Sequence, residues 1–329
     1  MIAAVGRTLP GIVVLCLGAL AARRFSTLAG VSELLLAIGL GVALANTVGV
    51  PERVRAGVGT HDVWLAAGIV LLGGSLTLGS VLETGNSVLL LLVTAVTVTV
   101  LLVEAIARNV AGLTERLGSL LAAGAGICGV SAVVAVGGAI RAKETQIAYA
   151  AAVILLVDAV TIVVYPIVGS VLGLSGIAFG VWTGVSMLST GPVVAVGFAH
   201  SEVAGQWATV TKLARNVLIG AVALGYASYY ARRGSGGQTS LRMLWANFPK
   251  FVLGFLAFVG LASAGVFSPG QRASMANAVD WLFLLAFVGL GTEIRIEDIR
   301  RTGFAPALVV FGVVSVVSAL SLAVALAVF

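Results

Sequence analysis

Lys212 and Arg215 stand three residues apart in "TVTKLARNVLIG" (209–220), and Asp158 stands alone in "VILLVDAVTIVVYP" (153–166). Residues three apart share a helix face, so the two bases present their charge side by side. Both runs are otherwise apolar enough to lie in a bilayer. An ionisable group at that depth costs at least about 2.5–3.5 kcal/mol and usually marks a pathway or a relay. The bases can complement an anion. The carboxylate can take a proton on one side of a membrane and release it on the other, or ligate sodium. The bland alternative is a structural ion pair, with Lys212 extending toward the nearer interface.

Two further stretches carry hydroxyls amid glycine. "GAGICGVSAVVAVGGAIRAKE" (124–144) has five glycines within one apolar run, and "GVSMLSTGPVVAVGFAH" (184–200) contains Gly191-Pro192. Each glycine weakens a helix by roughly 1 kcal/mol relative to alanine, and proline removes a donor and clashes with the preceding turn. Non-helical backbone at membrane depth is tolerated only where it lines a cavity or is buried in protein. Half-helices that end there expose N–H groups that favour anions. The candidate substrate-binding set is therefore Cys128, Gly129, Ser131, Ser186, Ser189, Thr190, Lys212 and Arg215, with Asp158 for ion coupling. Close helix packing is the competing account of the glycines, and the better one for Gly137 and Gly138. "VVAVGGAI" (133–140) and "VVAVGFAH" (193–200) are alike, but their parity does not fit the larger repeat described below.

The elements that must position these residues follow from composition. The 329 residues are 60% hydrophobic and 10% charged, with mean hydropathy +1.13, whereas soluble domains carry about 25% charged residues. The chain is thus an all-α polytopic membrane protein. Eleven apolar segments are predicted, at 8–22, 31–49, 62–82, 87–107, 117–140, 145–172, 175–199, 207–230, 246–266, 277–292 and 303–328. Residues 1–24 resemble a signal peptide, a reading rejected because "AARRF" follows and the chain continues apolar. Two cysteines inside apolar runs imply neither a disulfide framework nor a metal set. No HExxH, no Gly-x-Ser-x-Gly and no His near a nucleophile is present, which speaks against an enzyme and a resident cofactor.

With eleven crossings, Arg7, Arg53, Arg55, Arg108, Arg116, Arg232, Arg233, Arg242, Lys250, Arg295, Arg300 and Arg301 fall on one side, and Arg23, Arg24, Arg141, Lys143 and Arg272 on the other. Twelve against five places the N-terminus in the cytoplasm and the C-terminus outside a cell membrane crossed many times. The net charge of +6 belongs to those loops rather than to nucleic acid. Expected partners are the bilayer and a small anionic substrate, with a homodimer left open.

A shift of 218 residues aligns Pro51 with Pro269, Asp62 with Asp280, Gly73 with Gly291 and Thr84-Gly85 with Thr302-Gly303, without a gap. The related segments, 31–85 and 249–303, lie seven segments apart and so in opposite orientation. Glu83 against Arg301 fits that inversion. Inverted repeats mark secondary transporters. The whole chain, 1–329, reads as one transmembrane domain with broken elements at 117–140 and 175–199. The loop "ARRGSGGQTSLR" (231–242) reads as a hinge between halves.

The run "GAGICGVSAVVAVGGAIRAKE", the span ending Tyr165-Pro166 and "TKLAR" resemble the YeiH-type sulfate exporter family of bacterial membrane proteins, over about residues 8–325. The resemblance implies a fold related to bile-acid/sodium symporters and sodium–proton antiporters, with two crossed, discontinuous helices, which 117–140 and 175–199 would supply. The chain departs from that family where Leu188-Ser189, Pro192 and Asp158-Ala159 stand. The expected function is secondary transport of a small anion, sulfate or an organic sulfonate or carboxylate, coupled to H+ or Na+. The alternative is a sodium or proton antiporter using Asp158.

Overall fold

The computed structural model describes residues 2–76, 78–233, 245, 248–297 and 304–329. Residues 234–242 of the expected hinge, and Arg300 to Gly303 of the repeat, lie outside them. Every regular element described is helical, and seven helices are long and apolar enough to cross a membrane. Four shorter apolar helices span 33–47, 130–139, 176–186 and 251–263. The chain divides into two compact units, Met1–Gly85 with Lys250–Ile296, and Asn86–Pro249 with Glu297–Phe329.

The first unit holds α1 (Ile2–Ala29), α2 (Glu33–Thr47), α3 (Glu52–Val58) and α4 (His61–Leu72). Glycines let backbones touch inside it. A Cβ on Gly11 would strike the α3 backbone at Val54 and Gly57. Later in the chain, α13 (Phe251–Ser263) and α14 (Pro269–Glu293) complete the unit. Their packing is reciprocal: α2 lies on α14 and α13 on α4. Gly291 sits against the Ile38 carbonyl of α2, and Gly73, its counterpart by the 218-residue shift, against the Phe255 carbonyl of α13. Asn46 ties the end of α2 to the end of α14, donating to Ile294 O and accepting from Ile296 N, each at 2.8 Å. His61, at the start of α4, is buried, with Nε2 3.4 Å from Glu293 and 3.6 Å from Asp62.

The second unit is built on α5 (Leu78–Asn109, from Asn86 onward), α6 (Glu115–Ala123), α7 (Val130–Ala139), α8 (Glu144–Val171), α9 (Gly176–Ser186), α10 (Thr190–His200), α11 (Glu202–Asn216), α12 (Leu218–Arg232) and α15 (Phe304–Val328). Both glycine-rich segments are discontinuous, and each doubles back on itself. A Cβ on Gly124 would meet Val133 at 2.8 Å, and one on Gly137 would meet Leu120 at 3.5 Å, so α7 runs antiparallel to α6. At the open end of this hairpin, Gln146 Nε2 donates to Thr114 Oγ1 at 3.2 Å. In the second hairpin His200 stacks on Phe179 with ring centroids 4.0 Å apart, and its Nε2 lies 3.1 Å from Leu174 O. Ser175 and Ser201 cap α9 and α11 at that base, accepting from Ala178 N and Ala204 N. A straight 24-residue helix would part Gly176 from its far end by about 36 Å.

Arms of nine to eleven residues are about 14–17 Å long, half of a roughly 30 Å hydrocarbon core. These segments therefore re-enter the membrane where the resemblance implies crossing helices. The full-length α8 connects the base of the first hairpin to the base of the second. The continuous run 202–232 returns, bringing Tyr230 to Ser119 at 3.1 Å and Arg233 to Glu115 at 3.0 Å beside the first hairpin's base. The two hairpins thus enter from opposite ends of the unit and meet tip to tip.

Candidate functional site

The tips form where helical geometry fails. Residues Gly124–Cys128 widen into a π turn, and Gly129 follows with φ 68° and ψ −134°, a conformation that only glycine adopts without strain. A Cβ there would also collide with Ser189 Oγ of the other tip. In the second hairpin, α9 ends at Ser186, Met187 and Ser189 have extended dihedrals with a bend at Leu188-Ser189, and α10 begins at Thr190.

Each tip leaves orphan carbonyls at the end of its first arm and orphan N–H groups at the start of its second. Lys212 and Arg215 answer the carbonyls of both. Lys212 Nζ donates to Ile127 O at 2.9 Å, Met187 O at 3.0 Å and Leu188 O. Arg215 Nε donates to Gly126 O at 2.8 Å, Nη1 to Val185 O at 2.7 Å and Met187 O at 2.8 Å, and Nη2 to Ala125 O at 2.5 Å. Both side chains are fully buried, at 0% and 1% exposure. Their place is electrostatically sensible, because the carbonyl end of a helix carries partial negative charge. One turn of α11 thereby staples the two hairpins together, and Met187 O takes a bond from each cation.

Asp158 lies halfway along α8 and is 2% exposed. Its Oδ1 accepts the backbone N–H of Ser189 at 3.2 Å, at the start of α10, while its Oδ2 has no partner. Ser189 Oγ is likewise without a partner. Thr190 Oγ1 accepts from Asn216 Nδ2 at 3.0 Å, leaving Asn216 Oδ1 unmatched; Thr211 Oγ1, on the same helix beside Gly184, is unmatched too. Cys128 is buried beneath the first tip. Ser131 is exposed at the start of α7, and Ser189 and Thr190 are half-buried, so the second arms of both hairpins can be reached from outside the core.

Ser186 is engaged elsewhere. Its hydroxyl donates to Trp182 O at 2.5 Å, and Tyr165 OH points at it (3.0 Å) and at Ser318 Oγ (2.8 Å). Tyr165 and Trp182 stack at 4.3 Å, and Trp182 Nε1 donates to Ser318 O, which ties α8 and α9 to α15. The sequence-derived set thus gathers at one place, except that Ser186 faces this tie. Asn216, Thr211 and Ser318 were not anticipated; the signal for the first two was polarity within the "TVTKLARN" face that already held Lys212 and Arg215.

Among the described residues no cluster of His, Cys, Asp and Glu is arranged to hold a metal. The local formal charge is two cations against one carboxylate, and the partial charges of two helix ends of each kind cancel.

A UPF0324 membrane protein of Nitratidesulfovibrio vulgaris strain Hildenborough is 33% identical over 98% of this chain and 94% of its own length. UPF0324 membrane proteins of Bacillus cereus strain ATCC 14579 and Clostridium tetani strain E88 are 30% and 28% identical, covering 82% and 74% of this chain and 79% and 74% of theirs. No solved structure matches. The family described as "Conserved hypothetical protein 698" matches residues 9–310. With that match and those relatives, the chain belongs to this family of multi-pass membrane proteins.

Proposed function

We propose that this protein is a secondary active transporter of a small anion, not an enzyme, and that the anion binds between the hairpin tips. The observation that carries the reading is the meeting of two re-entrant hairpins around three buried ionisable groups. Open backbone at membrane depth is tolerated only where it lines a cavity or is buried in protein, and an anchor has no use for either. The net positive charge of the tips favours an anion over sodium. The donors left for it are Ser131, the hydroxyl of Ser189 and the N–H groups opening α7. Lys212 and Arg215 contribute their field and hold the tips in place. Asp158 couples the anion to a proton. Reciprocal packing in the first unit supports reading 31–85 and 249–303 as inverted repeats, and the paired hairpins support a second inversion between 133–140 and 193–200.

Re-entry also alters the sidedness expected from sequence. Arg141 and Lys143 return to the side of Arg108 and Arg116, so fourteen basic residues face three, Arg23, Arg24 and Arg272. The greater asymmetry supports a cytoplasmic N-terminus and an outside C-terminus.

The test is flux in proteoliposomes, screened over sulfate, sulfite, taurine, small carboxylates and sodium. Thermal stability measured on the same series reports a ligand of the native state. Flux of an anion that responds to a pH gradient is expected. Stabilisation by sodium with no response to any anion would favour the antiporter reading.

A further inference from the structure

The two N–H ends at the tips are not equivalent. The start of α7 has Ser131 exposed and, among the described residues, no carboxylate bonded to it, whereas the start of α10 is already occupied by Asp158. We infer, on the reading of this site as an anion-binding site, that the Asp158 carboxylate is a tethered stand-in for the substrate: the arriving anion displaces it from Ser189 N–H, and the freed carboxylate takes up one proton.

The geometry makes the displacement easy. The backbone N–H of Ser189 reaches Asp158 Oδ1 at 3.2 Å, a long bond for a charged acceptor, and the Ser189 hydroxyl and the Leu188 N–H lie beside the same carboxylate. Neither neighbouring cation bonds it, because Lys212 and Arg215 direct their donors to seven carbonyl contacts. Oδ2 is buried without a donor, and Ser189 Oγ stands unpartnered at the same point of the chain. An oxyanion between the tips gains that N–H, the Ser189 hydroxyl and the Ser131 hydroxyl together. Once displaced, the carboxylate gives up its donors at Leu188 and Ser189 in apolar surroundings. The charged and titratable groups facing it are Lys212 and Arg215 on α11 and the Tyr165 phenol on its own helix, with the Cys128 thiol of the first hairpin facing the two cations from their other side. The two cations remain committed to backbone, so a proton on Asp158 is the available compensation.

Charge balance then names the substrate class. With Asp158 protonated, the tips carry two formal positive charges, which a doubly charged oxyanion cancels. A singly charged anion leaves one uncompensated. The substrate is accordingly a dianion carried with one proton.

The experiment measures binding of sulfate and of methanesulfonate to the purified full chain between pH 6 and 8, in the wild type and in Asp158→Asn. In wild type, sulfate affinity is expected to fall about tenfold per pH unit above the ionisation of Asp158, as linkage to one proton requires. Sulfate added to wild-type protein in weak buffer should draw about one proton per site from solution, a readout that needs no variant to fold. Asp158→Asn should bind sulfate as well as wild type does at low pH, without the pH dependence. Methanesulfonate should bind more weakly than sulfate. Binding to wild type that ignores pH and draws no proton overturns the stand-in while leaving the anion site intact. Loss of binding in a folded Asp158→Asn overturns it too, since the carboxylate would then be a ligand. Absence of binding by either anion to either protein overturns the anion reading and this inference with it.

Discussion

Arg215→Met and Lys212→Met separate a staple from a substrate ligand. Removing Arg215 strands the carbonyls of Ala125, Gly126 and Val185, since Met187 O keeps its bond from Lys212. Removing Lys212 strands two, Ile127 and Leu188, since Met187 O keeps Arg215. Each buried group left without a partner costs about 1–3 kcal/mol. The Arg215 variant should therefore lose at least about 3 kcal/mol and the Lys212 variant at least about 2 kcal/mol. Arg215→Lys should recover only part, because an ammonium cannot reproduce the planar fork that reaches both tips. Cys128, buried at the first tip, supplies the assay. On a Cys16→Ser background, a thiol-reactive fluorophore reports the temperature at which Cys128 becomes accessible. A midpoint for Arg215→Met equal to that of the parent would refute the staple. If transport vanished in the same preparation, Arg215 would be a substrate ligand instead.

Three further outcomes follow from the fold. Gly129→Ala should lower stability by at least about 1–2 kcal/mol, from its positive φ alone, and transport should fall with it; an unaffected midpoint would contradict the tight tip. Gly41→Leu should destabilise the first unit by about 1–3 kcal/mol, because its side chain meets the backbone of α14 at Val288 and Gly291, and wild-type stability would contradict that packing. Gly176→Cys with Ser201→Cys should form a disulfide in a background lacking Cys16 and Cys128, since a Cβ at 176 lies 3.0 Å from Ser201 Oγ; failure to oxidise would contradict re-entry of the second hairpin.

Much of the site was legible in sequence because its chemistry is rare in a bilayer. Asp158, Lys212 and Arg215 stood out as ionisable groups in apolar runs, and Gly-Pro and clustered glycine marked both places where helices stop. The reversal at the tips was not legible. A hairpin of two nine- to eleven-residue arms has the same apolar length as one span, and nothing in hydropathy reports that Gly129 turns the chain back. The repeated "VVAVG" was the trace of it, since its parity is wrong for crossing helices and right for hairpins entering from opposite ends. The partners of Lys212 and Arg215 were hidden for another reason. Backbone carbonyls carry no sequence signature, so a cation that caps a helix end and one that awaits an anion look alike. Ser186 shows the same limit in reverse: its hydroxyl accepts from Tyr165 and donates to Trp182 O, partners that its place among the clustered hydroxyls did not reveal.

Modification of a cysteine at Ser131 tests most directly whether an anion reaches the tips. The residue is exposed at the opening of α7, away from the stapled carbonyls. In a background of Cys16→Ser and Cys128→Ser, Ser131→Cys in sealed vesicles would be treated with methanethiosulfonate reagents bearing either a sulfonate or a quaternary ammonium. The account expects the sulfonate to react faster than the ammonium, and a transported anion to slow it. A faster reaction with the ammonium, or no reaction from either side of the membrane, would contradict an anion site at the hairpin tips.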